Sequence, residues 1–204
     1  MKLVLRTPRL TIRNYTSGDI DAIIERTTQP EVARYMTWDR SSWAERERVE
    51  NWLEVQRGLN LDTFGSYVEF AIDLAGKNIG GIGIKRISRE HKNAELAWDL
   101  SAQHWGKGYA TEAVQCFIDI CFRTLDIHRI YAMCDARNVP SFRLMERLSM
   151  RREAHHQKST FVKGKWIDEL VYAVLKTEWL AKPKPEYTVI HSPYPIEMEA
   201  VASA

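Results

Sequence analysis

The segment formed by residues 93–124 constrains the fold of this chain most strongly. Its first part, Asn93–Leu100, alternates apolar and polar residues, which is typical of a strand with one buried face. Its last part, Tyr109–Thr124, places apolar residues three and four positions apart, which predicts a helix with a broad apolar stripe. A strand and a helix of this kind bury their apolar faces against other elements, so the sequence predicts a sheet covered by helices.

The rest of the chain mixes strands, helices and at least one hairpin. Residues 66–87 predict two strands joined by a turn at Gly76, Lys77 and Asn78. Further strands are predicted over 10–15, 129–134 and 166–175, and further helices from 19 onward and over 41–57 and 140–148. This order favours an α/β (α+β) fold with a mixed sheet and helices on both faces.

The composition limits the partners and the compartment of the protein. The 204 residues include 29 Lys and Arg against 27 Asp and Glu, a formal net charge of +2, which argues against direct nucleic-acid binding. No stretch approaches the roughly 18 consecutive apolar residues of a membrane span, and the first residues lack the apolar run of a signal peptide. The three cysteines have no C-x-x-C spacing, so no disulfide framework or thiolate metal site is indicated. We therefore expect a cytoplasmic protein with no membrane partner.

Prolines are concentrated near the C-terminus, where four of the seven occur, at Pro183, Pro185, Pro193 and Pro195. This shift predicts one domain over residues 1–181 and a proline-containing tail over 182–204. The tail is expected either to be loosely held or to dock on a partner subunit through Tyr187, Val189 and Ile190. The sequence leaves both a monomer and a homodimer open.

A turn with two glycines, Gly106 and Gly108, joins the strand and the helix of residues 93–124. Glycines let a ligand approach the backbone closely, and the free N–H groups at a helix start favour an anion such as a phosphate. A P-loop needs Ser or Thr where Gly108 stands, and a dinucleotide fingerprint needs a third Gly or Ala where Thr111 stands. The turn therefore predicts a phosphate site of another type.

Gln-x-x-Gly-x-Gly opening a helix resembles the Gcn5-related N-acetyltransferase superfamily, specifically its ribosomal-protein N-terminal acetyltransferase (Rim-type) branch. Four further segments within about residues 3–179 are similar to that branch: 5–13 to its opening strand, 94–98 to its central strand, 138–141 to its second cofactor motif and 165–172 to its closing strand. The resemblance implies a largely antiparallel sheet of about six or seven strands that is splayed in the middle. One departure is Ser149-Met150, where the family usually has Gly followed by an aromatic residue.

The resemblance implies acetyl-CoA as co-substrate. Its pyrophosphate would bind the amides from Trp105 to Ala110, with Gln103 fixing the turn, and its pantetheine arm would pair with the strand edge Trp98–Leu100. Asn138 and Ser141 would approach the thioester end, although the same residues are also ordinary helix-capping residues. The implied cofactor-binding residues are Trp98, Leu100, Gln103, Trp105, Gly106, Lys107, Gly108, Tyr109, Ala110, Asn138 and Ser141.

The implied reaction is direct attack of a primary amine on the thioester in a ternary complex, which requires a neutral amine and a proton acceptor. Glu95 is the candidate base, since its side chain faces away from Leu96 and Trp98 on the strand expected to hold the cofactor. Ser141 is the candidate acid for the departing thiolate, where many members of the superfamily use a Tyr. Cys134, near the same strand end, is expected to be a small buried residue.

The acceptor is the least constrained partner. The branch resemblance implies a protein N-terminal α-amine, whereas the low net charge fits a small amine such as an antibiotic or a polyamine equally well. A non-catalytic acetyl-CoA-binding module is the alternative outside the enzymes. Four aromatic or apolar side chains occur where the family places its acceptor site, Tyr35, Met36, Trp38 and Trp43, and the same spacing is typical of core residues. No metal is expected, because adjacent His155 and His156 point to opposite faces of a strand.

Overall fold

The structure, a computed structural model, describes residues 3–194, which form nine strands and six helices. The strands are β1 (Val4–Arg6), β2 (Thr11–Arg13), β3 (Tyr67–Leu74), β4 (Lys77–Ser88), β5 (Asn93–Leu100), β6 (Arg129–Asp135), β7 (Arg151–Val162), β8 (Lys165–Leu175) and β9 (Thr188–His191). The helices are α1 (Ile20–Thr27), α2 (Pro30–Ala33), α3 (Arg46–Gly58), α4 (Tyr109–Thr124), α5 (Val139–Arg147) and α6 (Lys176–Leu180).

All nine strands belong to one sheet, in the order β7-β8-β6-β5-β4-β3-β2-β1-β9. Every neighbouring pair is antiparallel except β5 and β6, which are parallel. The predicted mixed, largely antiparallel sheet is thereby confirmed. The described residues hold more strands than expected, because residues 4–13 form two strands and because β9 lies in the predicted tail.

The sheet is splayed between its two parallel strands. β5 and β6 pair over three positions only, and the last of these joins Glu95 to Tyr131. β6 then stays paired with β8 along its whole length, from Arg129 to Asp135. The edge of β5 from Leu96 to Leu100 therefore has no strand beside it on the β6 side, which leaves its backbone groups open to a ligand.

Alternating side chains of β3 divide the core between the two faces of the sheet. Phe70 and Ile72 belong to the large cluster that contains the apolar stripe of α4, as well as buried residues of α5 and α6. Ala71, which points the other way, belongs to a smaller cluster with Ile23 of α1 and Leu53 of α3. The period of two along the strand therefore places helices on both faces, as predicted.

The hairpin between β3 and β4 turns at Ala75 and Gly76, which have φ angles of +52° and +89°. The turn was predicted at Gly76, Lys77 and Asn78, but it begins one residue earlier, because Lys77 and Asn78 already belong to β4. Two consecutive left-handed residues are what a two-residue hairpin loop requires if its twist is to match the flanking strands.

The chain after α6 returns to the sheet. β9 pairs antiparallel with β1, and the Tyr187 hydroxyl donates to Asp119 Oδ2 in α4 at 2.8 Å. Tyr187 and Val189 pack against the large core cluster, while Ile190 is exposed. The domain boundary at residue 181 stays a prediction, and residues 195–204 of the predicted tail lie outside the described residues.

Candidate functional site

A cavity of about 450 Å³ lies beside the unpaired end of β5. Nine of the predicted cofactor-binding residues line it: Trp98, Leu100, Trp105, Gly106, Gly108, Tyr109, Ala110, Asn138 and Ser141. They come from three elements, the end of β5, the start of α4 and the start of α5, and so the fold brings together side chains that are 43 positions apart at the extremes, from 98 to 141. The other wall is formed by α2 and the residues after it.

The turn before α4 presents free backbone donors to this cavity. Gly106 and Gly108 have φ angles of +73° and +79°, a conformation that residues with a side chain rarely adopt. Within residues 3–194, the amides of Gly106, Lys107 and Gly108 donate to no protein acceptor. The indole N–H of Trp105 donates to the Leu100 carbonyl at 2.8 Å and so fastens the turn to the end of β5. The turn has the geometry of an anion site at a helix start.

Gln103 and Lys107 lie beside the turn and do not line the cavity. Both side chains are exposed, and the Lys107 ammonium donates to the Gln103 carbonyl at 3.0 Å. Among the described residues the Gln103 side chain has no hydrogen-bond partner. Gln103 was predicted to fix the turn, but in the structure the indole of Trp105 makes that contact.

Asn138 and Ser141 begin α5 at the edge of the cavity. Asn138 is the N-cap residue, and the Ser141 amide donates to its backbone oxygen at 3.1 Å and to its Oδ1 at 3.4 Å. Burial raises the pKa of the neighbouring Cys134 thiol to about 11, and a hydrogen bond with Ser141 opposes the rise. Cys134 is therefore a neutral thiol at neutral pH, and it is buried, as predicted.

Glu95 lies outside the cavity wall, at the point where β5 and β6 separate. The Tyr131 hydroxyl donates to Glu95 Oε2 at 3.4 Å. Burial, together with the Glu95 carboxylate, raises the pKa of Tyr67 and of Tyr131 above the usual range of a phenol. Both phenols therefore keep their protons at neutral pH, and both can donate a hydrogen bond to Glu95.

Sequence patterns missed a buried ion pair at the cavity. Arg26 Nε of α1 lies 2.5 Å from Oδ2 of Asp99, whose residue lines the cavity, and Arg26 Nη1 donates to Asn78 Oδ1 at 2.9 Å. The arginine and aspartate side chains are only 5% and 11% exposed. The two residues are 73 positions apart, and an isolated Arg in a helix gives no signal of its partner.

The predicted acceptor-side residues separate into two groups. Tyr35 and Met36 line the cavity, next to Glu31 and Val32 of α2. Trp43 packs against Trp52 of α3 with ring centroids 5.7 Å apart, and Trp38 lies 6.0 Å from Trp43. The two tryptophans therefore follow the alternative interpretation as packing residues, whereas Tyr35 and Met36 are available to a ligand.

Residues 3–194 contain no group of three or more His, Cys, Asp or Glu side chains arranged to hold a metal. His155 instead contacts Asp168, with Nε2 3.1 Å from Oδ2. No helix in the same range is long and apolar enough to cross a membrane.

Comparison with known proteins identifies the family. Residues 9–151 match the family model of the acetyltransferase (GNAT) domain, so the chain belongs to the GNAT acetyltransferases and is an acetyl-CoA-dependent N-acetyltransferase. A relative from Bacillus licheniformis named "Uncharacterized N-acetyltransferase p20" is 31% identical over 175 residues, 86% of this chain and 97% of the relative. A spermidine N(1)-acetyltransferase from Vibrio cholerae is 25% identical over 174 residues, 84% of this chain and 96% of the relative.

Solved structures agree with this assignment. A GNAT-family acetyltransferase from Bacillus anthracis superposes with a TM-score of 0.74 at 29% identity, over 86% of this chain and 99% of that one. RimJ from Mycobacterium smegmatis, in complex with CoA-disulfide, superposes with a TM-score of 0.74 at 25% identity, over 87% of this chain and 88% of that one. The predicted resemblance to GNAT enzymes, with Rim-type enzymes among the structural neighbours, is confirmed.

Proposed function

We propose that this enzyme transfers the acetyl group of acetyl-CoA to the α-amine at the N-terminus of a polypeptide. The observation that carries the proposal is the chemistry of the cavity wall. Beside the turn before α4, the cavity wall is mostly apolar, with Val32, Tyr35 and Met36 on the side formed by α2 and the residues after it. Such a wall fits the side chain of one terminal residue next to one amine.

The charges of the cavity favour an acceptor with a single amine. Two acidic residues line it, and one of them, Asp99, is neutralised by Arg26. Glu31 is the other, and Arg147 adds a positive charge to the same wall. A polyamine carries several positive charges and needs several free carboxylates, whereas an α-amine needs one at most.

The proposed cofactor site uses the residues predicted from the sequence. The amides from Gly106 to Ala110 would hold the pyrophosphate, since the predicted donor at Trp105 already donates to the Ala102 carbonyl at 3.1 Å. The unpaired edge Trp98–Leu100 would hold the pantetheine arm by strand addition. Gln103 and Lys107 would lie beside the phosphates at the exposed side of the turn. This assignment is supported by the free amides of the turn and by the CoA complex of a structural neighbour.

Glu95 is the proposed proton acceptor, through water, and Ser141 the proposed hydrogen-bond donor to the departing thiolate. At pH 7 roughly a tenth or more of an α-amine with a pKa of about 7.7–8.0 is neutral, whereas a lysine amine near 10.4 is almost wholly protonated, so the α-amine needs far less help. A carboxylate that acts through one water is sufficient to remove the proton of an α-amine. A thiol with a pKa of about 8.5 leaves with little help, so the weak donor Ser141 suffices to stabilise the departing thiolate of CoA.

A small amine is the second candidate acceptor, because the relative from Vibrio cholerae is named as a spermidine N(1)-acetyltransferase. The two candidates are distinguished by turnover with a matched panel. The panel contains a peptide with a free N-terminus and no lysine, the same peptide with a blocked N-terminus, spermidine and an aminoglycoside, and free CoA is measured by chromatography.

The proposal expects release of CoA with the free peptide and none with the blocked peptide. Tyr35→Ala should raise KM for the peptide and leave KM for acetyl-CoA unchanged, while Val55→Ala, at an exposed position of α3, should change neither. Turnover with spermidine alone would contradict the N-terminal acceptor. Thermal protection by acetyl-CoA without turnover on any acceptor would contradict transfer itself.

A further inference from the structure

Glu112 places a negative charge in the first turn of α4, next to the free amides that precede the helix. Its carboxylate accepts hydrogen bonds from the loop between β1 and β2. Thr7 Oγ1 donates to Glu112 Oε1 at 2.6 Å, and Arg9 donates to Oε1 from its backbone N at 3.0 Å and to Oε2 from Nε at 2.6 Å. Burial alone would raise the pKa of Glu112, but these hydrogen bonds outweigh it and hold the pKa below its usual value.

The position of this charge matters because an acidic residue and an anionic ligand compete for the same helix end. A carboxylate in the first turn is attracted by the positive end of the helix dipole and repels a phosphate bound there. Pairing with Arg9 compensates the charge of Glu112, and the three donors hold its carboxylate toward the loop between β1 and β2. The helix end stays positive toward the cavity.

Arg9 also fixes the backbone of the turn. Its Nη1 donates to the Lys107 carbonyl at 2.9 Å, and its guanidinium lies 4.7 Å from the centroid of the Tyr109 ring. Because a trans peptide is planar, its C=O and N–H point in opposite directions. With the Lys107 carbonyl turned toward Arg9, the N–H of Gly108 points away from Arg9, and Gly108 lines the cavity.

We propose that Arg9 is a positioning residue for acetyl-CoA. Arg9 compensates the charge of Glu112 and orients the Lys107–Gly108 peptide, so that the turn can accept the pyrophosphate. The inference rests on the proposed cofactor site and adds a residue from near the N-terminus, 103 positions before Glu112. Arg9 acts through the backbone of the turn and has no part in the chemical step.

The test separates effects on binding of the pyrophosphate from effects on binding of the thioester end. The kinetics of the wild type, Arg9→Met, Arg9→Lys, Glu112→Gln and the double variant Arg9→Met/Glu112→Gln are measured with acetyl-CoA and with S-acetylpantetheine, which lacks the pyrophosphate. Arg6→Met is the matched control, since Arg6 is an exposed residue of β1 with no side-chain partner among the described residues.

We expect Arg9→Met to raise KM for acetyl-CoA about tenfold, because the displaced turn loses its alignment with the phosphates and the charge of Glu112 is left uncompensated. Glu112→Gln should raise KM less, because the loss of the anchor for Arg9 is partly offset by the removal of a charge that repels the phosphates. The double variant should be less impaired than Arg9→Met alone, since it removes the uncompensated carboxylate together with its partner. Arg9→Lys should not restore the affinity, because one ammonium cannot reproduce the two-sided fork of a guanidinium. The value of kcat, the KM for S-acetylpantetheine and every parameter of Arg6→Met should stay unchanged.

Two results would overturn the proposal. An equal rise of KM for both thioesters in Arg9→Met would mean a general structural loss. A double variant as impaired as Arg9→Met would mean that Arg9 does not compensate Glu112 and binds the phosphates directly. Calorimetric titration of CoA and of pantetheine into the same variants measures the effect without turnover, so the positioning role can be tested even if no acceptor is acetylated.

Discussion

Glu95 and Tyr131 face each other across β5 and β6 at the last paired position before the two strands separate, with the Tyr131 hydroxyl 3.4 Å from Glu95 Oε2. The carboxylate thus lies at the inner end of the gap into which the pantetheine arm is proposed to insert. Burial and the nearby Glu95 raise the pKa of Tyr131, so the phenol keeps its proton and donates this hydrogen bond to Glu95.

Glu95→Gln should lower kcat about a hundredfold at pH 7, since an amide cannot accept the proton of the acceptor amine. The loss should shrink as the pH rises toward the pKa of that amine, because more of the amine is then already neutral. Steady-state kinetics from pH 6.5 to 9 provide the measurement, and Kd for CoA should not change. A kcat equal to that of the wild type across this range would remove Glu95 from the mechanism.

Arg26→Met should destabilise the fold by about 3 kcal/mol, because it leaves the Asp99 carboxylate buried without its counter-ion. Asp99→Asn should also destabilise it, and the double variant should lose less than the sum of the two. Urea unfolding measures all three. The exposed ion pair of Arg46 with Asp21 is the control, and Arg46→Met should change the free energy of unfolding little. Equal effects of Arg26→Met and Arg46→Met would contradict a buried pair.

Ser149→Gly should raise the free energy of unfolding by about 1 kcal/mol. Ser149 has a φ angle of +57° after α5, where its amide donates to the Glu146 carbonyl and the Met150 amide to the Met145 carbonyl. This is the C-terminal motif in which Gly is favoured. Thermal unfolding should give a higher Tm for Ser149→Gly and no gain for Ser149→Ala. A lower Tm for the glycine variant would show that the Ser149 side chain contributes more than its strained backbone costs.

The stability of the protein should depend on pH through Glu69. Burial raises its pKa to about 7, and the negative charge of Asp99 adds to the rise while Arg26 opposes it. Because this pKa is higher in the folded than in the unfolded state, the folded protein binds the proton more tightly, and stability falls as the pH rises from about 4.5 to 7.

Glu69→Gln should abolish this fall and give a higher Tm than the wild type at pH 8. Differential scanning calorimetry at pH 5, 6, 7 and 8 gives the comparison. If the two proteins keep the same difference in Tm at every pH, Glu69 does not titrate in the folded state in this range.

Local patterns predicted the central elements well. The bounds of β5 and α4 agree with those expected from alternation and from the apolar stripe, because both elements bury one complete face. β7 is different: nine of its twelve residues are exposed and none is buried, so no alternation marks its length. Its position depends on pairing with β8, which is a tertiary property.

The candidate site was predictable only where a motif is contiguous. The glycines of the turn and the capping pair Asn138 and Ser141 are close in sequence, and the structure brings them to one cavity. The contacts of Arg9 with Glu112 and of Arg26 with Asp99 join residues 103 and 73 positions apart. Their charges are visible in the sequence, but their partners depend on how the sheet is ordered.

The binding site of the cofactor is tested most directly by a crystal structure of the enzyme with CoA. We predict that the pyrophosphate oxygens lie within hydrogen-bond distance of the amides from Gly106 to Ala110, and that the pantetheine arm runs along the edge Trp98–Leu100. CoA bound away from this turn, or with its phosphates held only by side chains, would contradict it.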